Sequence, residues 1–365
     1  MAAACLTSRV LPMDVYHVAA SSMLALFSAG QAPSAEHAAE FAVVTGMSRA
    51  LSLATLRSIQ SYQRIPILKS LAGGVKSWAQ TVGVHDWLAG RSLVQLAAQH
   101  SIPPTMLFRW LLPHLQRWAH GARKAGRQDD PLAKLNTHNM SASMALECPS
   151  KLGIARLEAE VLEAIAADVF DSPDAVLYRA NLGEQFESLL EACLHSAGLT
   201  FYTEKHLRKA GASKTPDILL HSPIGIVDST GEVREVNWMD SKALFGASDQ
   251  FMADISKQAL GYANRYGPGA LVFWFGFDAD LPGTVARELP GLADDLALCA
   301  GLPREFVLPA ATSASDVLQL RIPEDAGVAA LSALVWPGEA LLPEPEAFPG
   351  VGQASRAEFS TTQHA

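Results

Sequence analysis

Long apolar runs are missing from this chain, and so are paired cysteines. No stretch is apolar enough to span a bilayer, which argues against membrane helices and a membrane partner. The four cysteines, Cys5, Cys148, Cys193 and Cys299, are scattered without paired spacing. That scatter argues against a disulfide framework and against a zinc cluster, and predicts reduced thiols. The mildly apolar stretch 18–30 lacks a basic region before it and has Asp14 and His17 instead, so no secretory signal is expected. Arg is too scarce near the start to support a mitochondrial presequence, and internal repeats are absent.

Acidic residues are nearly missing from one block. Residues 41–128 hold eleven Lys or Arg and a single acid, Asp86, for a charge of +10. Residues 129–365 hold sixteen Lys or Arg against thirty-three acids, or −17, and residues 1–40 carry −2, which together give the net −9. A basic block in an acidic protein points to a polyanion partner, and nucleic acid is the leading reading. The alternative is a basic face packed on an acidic surface of its own C-terminal half or of another protein. Charge alone sets no sequence specificity.

At 365 residues the chain has length for two or three domains. Residues 1–35 show weak periodicity and end in Gly30-Gln31-Ala32-Pro33-Ser34, a loosely ordered lead-in. Residues 36–130 read as a basic helical domain. Its first helix spans 38–71, with Arg49, Arg57 and Arg64 off the apolar face. Residues 92–118 have a helix-turn-helix look: Leu93, Leu96 and Ala97 mark one helix, Ile102-Pro103-Pro104 the turn, and a proline opens the next helix. Met106, Leu107, Trp110 and Leu111 form its core face, leaving Thr105 and Arg109 pointing elsewhere. Such a pair can lay its second helix in a major groove; a plain helical hairpin explains the pattern equally well. The candidate nucleic-acid contacts are Arg109, Arg117, Arg123 and Lys124.

A linker is expected over 120–131, helices over 152–170 and 183–197, and short strands over 199–202, 217–221, 233–240 and 270–277. The last run is continuously apolar, as a strand buried on both faces would be. A helix over 248–265, closed by Gly267-Pro268-Gly269, separates the last two strands. The order defines an α/β domain over 150–330 behind the all-α one. Beyond Trp336, residues 337–365 are rich in Pro, Gly and Glu, a disordered tail.

The chemistry concentrates in Thr215-Pro216-Asp217 and Asp240-Ser241-Lys242. Strand alternation puts Asp240 and Lys242 on one face, looking across at Asp217. On the helix 183–197, Phe186, Leu189, Leu190, Cys193 and Leu194 make the apolar face and Glu187 falls at its edge. A carboxylate there is partly desolvated, which is costly unless a cation or donor meets it. An Asp followed by an acid-x-Lys a strand and a turn later is an arrangement for holding Mg²⁺ or Mn²⁺ and stabilising a phosphoryl transition state. On the following helix Gln258 is the polar member of an apolar row with Phe251, Ile255 and Tyr262. It serves either a phosphate or metal-bound water, or its own backbone. Taken singly, each piece also reads as an ordinary surface residue.

Together, Lys214-Thr215-Pro216-Asp217, Trp238 to Gly246, and Gln258 followed by Asn264-Arg265-Tyr266-Gly267-Pro268-Gly269 resemble the TPD-motif branch of the PD-(D/E)xK nuclease superfamily. The resemblance implies a restriction-endonuclease-like mixed sheet flanked by helices. It implies Asp217, Asp240 and Glu187 as metal ligands, Lys242 as the catalytic lysine and Gln258 as a further site residue. It also implies a codanin-type protein partner. Asp240 stands where eukaryotic members have Glu, one methylene longer.

The function expected is a divalent-metal-dependent nuclease on DNA, RNA not being excluded, located in the nucleus, the cytoplasm or both. Two other classes compete: a nuclease-fold adaptor acting through its protein partner, and a DNA-binding regulator built on the helix-turn-helix.

Overall fold

The computed structural model describes residues 9–136, 140–302, 305–307 and 317–319. The helical part contains β1 (Val10–Leu11), α1 (Met13–Ser28), α2 (Ala35–Thr45), α3 (Arg49–Trp78), α4 (Val84–Leu88), α5 (Leu93–Gln99), α6 (Pro104–Lys124), α7 (Ala142–Glu147) and α8 (Ala155–Ala167). Then come α9 (Pro173–Ser196), β2 (Phe201–Thr203), α10 (Glu204–Lys209), β3 (Ile218–Val227), β4 (Val233–Lys242), α11 (Ser248–Gln250) and α12 (Ser256–Tyr266). The chain continues through β5 (Gly269–Phe273), β6 (Phe277–Asp278), α13 (Leu281–Glu288), α14 (Pro290–Ala293), β7 (Leu296–Ala300), β8 (Glu305–Val307) and β9 (Val317–Gln319). One π-helical turn, Phe251–Ile255, joins α11 to α12.

Seven strands form one mixed sheet in the order β7-β5-β4-β3-β8-β9, with β2 paired to the start of β3. β3 and β4 are an antiparallel hairpin, whereas β4, β5 and β7 run parallel. Every residue of β5 is buried, which is why its sequence is apolar without alternation. It opens on Gly269 because the Trp238 ring lies over that backbone: a Cβ there would come within 2.0 Å of the indole. This is a mixed α/β sheet flanked by helices behind a helical N-terminal region. Among the described residues no helix is long and apolar enough to cross a membrane, and Cys148, Cys193 and Cys299 are free.

The packing differs from the sequence reading in several places. The lead-in is ordered from residue 9: β1 pairs in parallel with β6, and Leu11, Tyr16, Ala19 and Met23 are buried in the core under the sheet. The helix expected over 38–71 is two helices. α2 ends at Gly46 in the left-handed region (φ 71), and Ser48 caps α3 by accepting a hydrogen bond from Leu51 N–H. The linker expected over 120–131 is shorter: α6 runs to Lys124 with Ala119 and Ala122 buried, residues 125–131 are a mostly exposed turn, and Leu132 and Leu135 are buried after it.

Nor does the core divide near residue 130. Leu51, Leu56 and Ile59 of α3 pack with Phe186, Leu190 and the sheet, while Leu68 and Val75 of the same helix pack with α5, α6 and α8. α8 thus belongs to the helical core. Each fully buried Leu or Phe contributes about 1.5–3 kcal/mol, so α3 anchors both cores substantially. Thr105, expected to point away, is fully buried and donates its hydroxyl to Asp168 at 2.5 Å. The tail at 337–365 lies outside the described residues.

Candidate active site

Pro216 is buried and fixes the entry to β3, leaving Asp217 at the mouth of the strand. The Asp217 carboxylate accepts a hydrogen bond from Ser241 N–H of β4 at 2.7 Å. Next to it Asp240 is only 1% exposed, and its Oδ2 forms an ion pair with Lys242 Nζ. That oxygen accepts no aligned hydrogen bond, so it meets Lys242 as a charge only. The Ser241 side chain turns to the opposite face, where its hydroxyl accepts from the Trp274 indole at 2.8 Å.

Lys242 Nζ also donates to Gln258 Oε1 on α12 at 3.0 Å. Gln258 Nε2 donates to the Tyr262 hydroxyl at 2.8 Å, and that hydroxyl donates to the Thr215 carbonyl at 3.2 Å. Two peptide bonds lead from Thr215 back to Asp217. The result is a closed ring: Asp217, Ser241, Lys242, Gln258, Tyr262, Thr215 and Asp217 again. Both ends of the Gln258 amide are engaged within the ring rather than with its own backbone, and one N–H and one lone pair of the amide remain for a further partner.

The electrostatics show crowded negative charge. The Asp217 carboxyl is held well above the usual carboxylate range, first by burial and then by Asp240, with the Ser241 N–H and Lys242 opposing. Glu187 on α9 is half-buried and is raised by burial, then by Glu204 and Asp240, with Lys242 opposing. Burial and the Asp240 charge push the Tyr262 phenol upward, keeping it a proton donor. Asp217, Asp240 and Glu187 are thus near enough to act on one another.

Oxygen-only donors of this kind suit a hard divalent cation, which would relieve their mutual repulsion. In chemistry the donor set therefore fits Mg²⁺ or Mn²⁺. Among the described residues, however, no three His, Cys, Asp or Glu side chains gather closely enough to hold a metal ion.

Glu204 was not anticipated. It follows β2, whose pairing sets Thr203 opposite Ile218, and so it lands beside the motif. Its N–H donates to the Asp217 carbonyl at 3.0 Å, and its Oε1 accepts from the Thr215 hydroxyl at 3.2 Å. The signal was the strand pairing of 201–203 with 218–220, which a single sequence does not display.

The basic residues divide. Arg109 donates to the Asp171 carbonyl at 3.1 Å, facing the protein rather than solvent. Arg64 is buried and makes a two-pronged pair with Asp171 at 2.6 and 3.0 Å, and Arg57 is buried too. Arg123 donates to the Leu135 carbonyl at 3.0 Å while remaining largely exposed. Arg117, beside His114, and Lys124 at the end of α6 are exposed. Part of the basic block is thus consumed in holding the helical core to the loop before α9.

These residues lie in a segment with known relatives. Residues 154–289, which contain Glu187, Asp217, Asp240, Lys242 and Gln258, match the profile of a family described as "Protein of unknown function TPD sequence-motif". The chain is homologous to proteins named CDAN1-interacting nuclease 1. That of Bos taurus is 29% identical over 239 residues, covering 63% of this chain and 78% of the relative. That of Homo sapiens is 28% identical over 227 residues, covering 62% and 69%. The Danio rerio protein is 36% identical over a shorter 127 residues, covering 34% and 41%. No solved structure matches the chain.

Proposed function

We propose that the protein is a divalent-metal-dependent phosphodiesterase acting on DNA, built on a restriction-endonuclease-like core. The observation that carries this reading is the hydrogen-bonded ring that joins Asp217 to Lys242, with the buried Asp240 between them. Homology to nuclease-named proteins supports it. So does the topology, an antiparallel hairpin whose second strand runs parallel to the strand after α12.

Asp217, Asp240 and Glu187 would hold Mg²⁺ or Mn²⁺, which supplies water activation and charge neutralisation when bound. The chain's own residues do the rest. Ser241 N–H fixes the Asp217 carboxylate, and Gln258 accepts from the Lys242 ammonium and would hold it toward a bound substrate. There the ammonium stabilises negative charge developing on a scissile phosphate. Exposed Arg117 and Lys124 would grip the nucleic acid through its backbone.

Cleavage of a panel of labelled DNA and RNA structures with Mg²⁺ or Mn²⁺ tests this. Asp217→Ala and Lys242→Ala should abolish cleavage; variants as fast as wild type would sink the assignment.

One observation favours a second reading. Lys242 already pairs with Asp240, and the acids are not gathered around a metal position among the described residues. A nuclease-fold adaptor would look like this, and the relatives' name points to a codanin-like partner. Calorimetric titration separates the two readings, since no heat at millimolar Mg²⁺ or Mn²⁺ favours the adaptor.

A further inference from the structure

Lys214 opens the Lys-Thr-Pro-Asp motif yet lies outside the hydrogen-bonded ring. Its surroundings are built, nonetheless. The Lys214 carbonyl accepts from the Tyr266 hydroxyl at 2.6 Å, and the Thr215 carbonyl accepts from Tyr262 at 3.2 Å. Ser213 Oγ accepts from Arg265 Nη1 at 3.3 Å. Three consecutive residues are therefore tied to α12, and the backbone carrying Lys214 is held on both sides.

The side chain then crosses α12 at Gly261. A Cβ at that glycine would come within 3.0 Å of both Lys214 Cε and Nζ. Glycine inside a helix costs about 0.5–1 kcal/mol relative to alanine. Here the missing methyl is the space that seats the lysine's charged end.

Position adds the second part. Gly261 follows Gln258 by three residues, about 4.5 Å along the axis of α12, so Lys214 crosses the helix on the side whose Gln258 holds Lys242. Among the described residues no carboxylate pairs with Lys214, which is exposed. Lys205 and Lys209 on α10 are exposed as well.

We propose that Lys214, lying over Gly261, binds a backbone phosphate on the side of α12 that holds Lys242, and so sets the path of a nucleic-acid strand across α12. This rests on the nuclease reading above.

The test is the salt dependence of binding by the full chain. A fluorescein-labelled duplex DNA is titrated by anisotropy over a salt series, with Ca²⁺ replacing Mg²⁺ so that binding is read apart from cleavage. Each phosphate neutralised contributes about 0.9 to the slope of log K against log salt. Lys214→Ala should lower the slope by about one and weaken binding evenly across sequences, with an unchanged Tm. Lys214→Arg should keep the slope. Gly261→Ala, which blocks the seat, should lower affinity with Lys214 still present. A Lys214→Ala slope equal to wild type overturns the inference. If wild type still cleaves DNA, only Lys214's role is lost; if wild type neither binds nor cleaves, the nuclease reading falls with it.

Discussion

Tyr262 decides which end of the Gln258 amide faces Lys242. Its single proton goes to the Thr215 carbonyl, so toward Gln258 it can only accept. That fixes the amide NH₂ on the tyrosine and leaves the carbonyl oxygen for the lysine. Tyr262→Phe removes the acceptor, and a buried donor left without a partner costs about 1–3 kcal/mol. We expect kcat for DNA cleavage to fall about tenfold, a loss of about 1.4 kcal/mol in barrier terms, with KM little changed. Steady-state kinetics would show it, and full activity in the Phe variant would make the ring irrelevant to turnover. Asp217 has its own signature in stability. Burial and the Asp240 charge raise its carboxyl above the ordinary carboxylate value of 3.8, so the folded chain keeps a proton that the unfolded chain has released. The resulting stability is complete below that value and is lost as pH rises through the raised one. Melting temperatures of metal-free protein should decline with pH relative to Asp217→Asn, and Mg²⁺ should oppose the decline. Parallel curves for the two proteins would contradict this. At this scale the sequence was informative where chemistry depends on spacing along one strand, as with Asp240 and Lys242. It was blind where contacts cross strands, and so Glu204 and the ring-closing role of Tyr262 could not be read.

β5 and the helix before it were legible because their signals are local. A continuously apolar pentapeptide begins at a Gly-Pro-Gly stop, and the end of the helix and the start of the strand fall within a residue of expectation; the strand itself stops at Phe273, Phe277 belonging to β6, and a π-helical turn interrupts the helix before Ser256. α1 was not legible, since Val18 is exposed while Tyr16, Ala19 and Met23 are buried, which blurs the apolar stripe. The break between α2 and α3 was written in Gly46 and Ser48, but apolar residues on both sides concealed it. Gly269 tests how tightly β4 and β5 are matched. The alanine methyl would overlap the Trp238 ring, which is itself held by a bond from its indole N–H to the Gly267 carbonyl at 2.8 Å. Overpacking of this kind costs about 1–3 kcal/mol or more. Chemical denaturation of Gly269→Ala should show a loss at least that large, and a neutral result would mean that the indole can move freely.

Over the whole molecule, charge that looked like a single basic block serves two purposes. Arg64 and Arg109 hold the helical core to the loop at Asp171, whereas Arg117 and Lys124 face solvent. Arg109→Ala should therefore lower stability by about 1–2 kcal/mol and leave the salt slope of DNA binding alone. Arg117→Glu with Lys124→Glu should weaken DNA binding and flatten that slope without a comparable loss of stability. Anisotropy and thermal melts on the same samples would separate these, and a reversal of the two effects would reassign the grip. The domain arrangement was only half legible for a related reason. Composition changes near residue 130, but packing does not, because α3 contributes Leu51 to Ile59 to one core and Leu68 to Val75 to the other. A helix shared in this way makes the two halves poor candidates for independent inheritance. Recombination that separated them would leave each partner with an open hydrophobic wound, so the α/β half could not be passed between genes as a cassette without carrying α3 along.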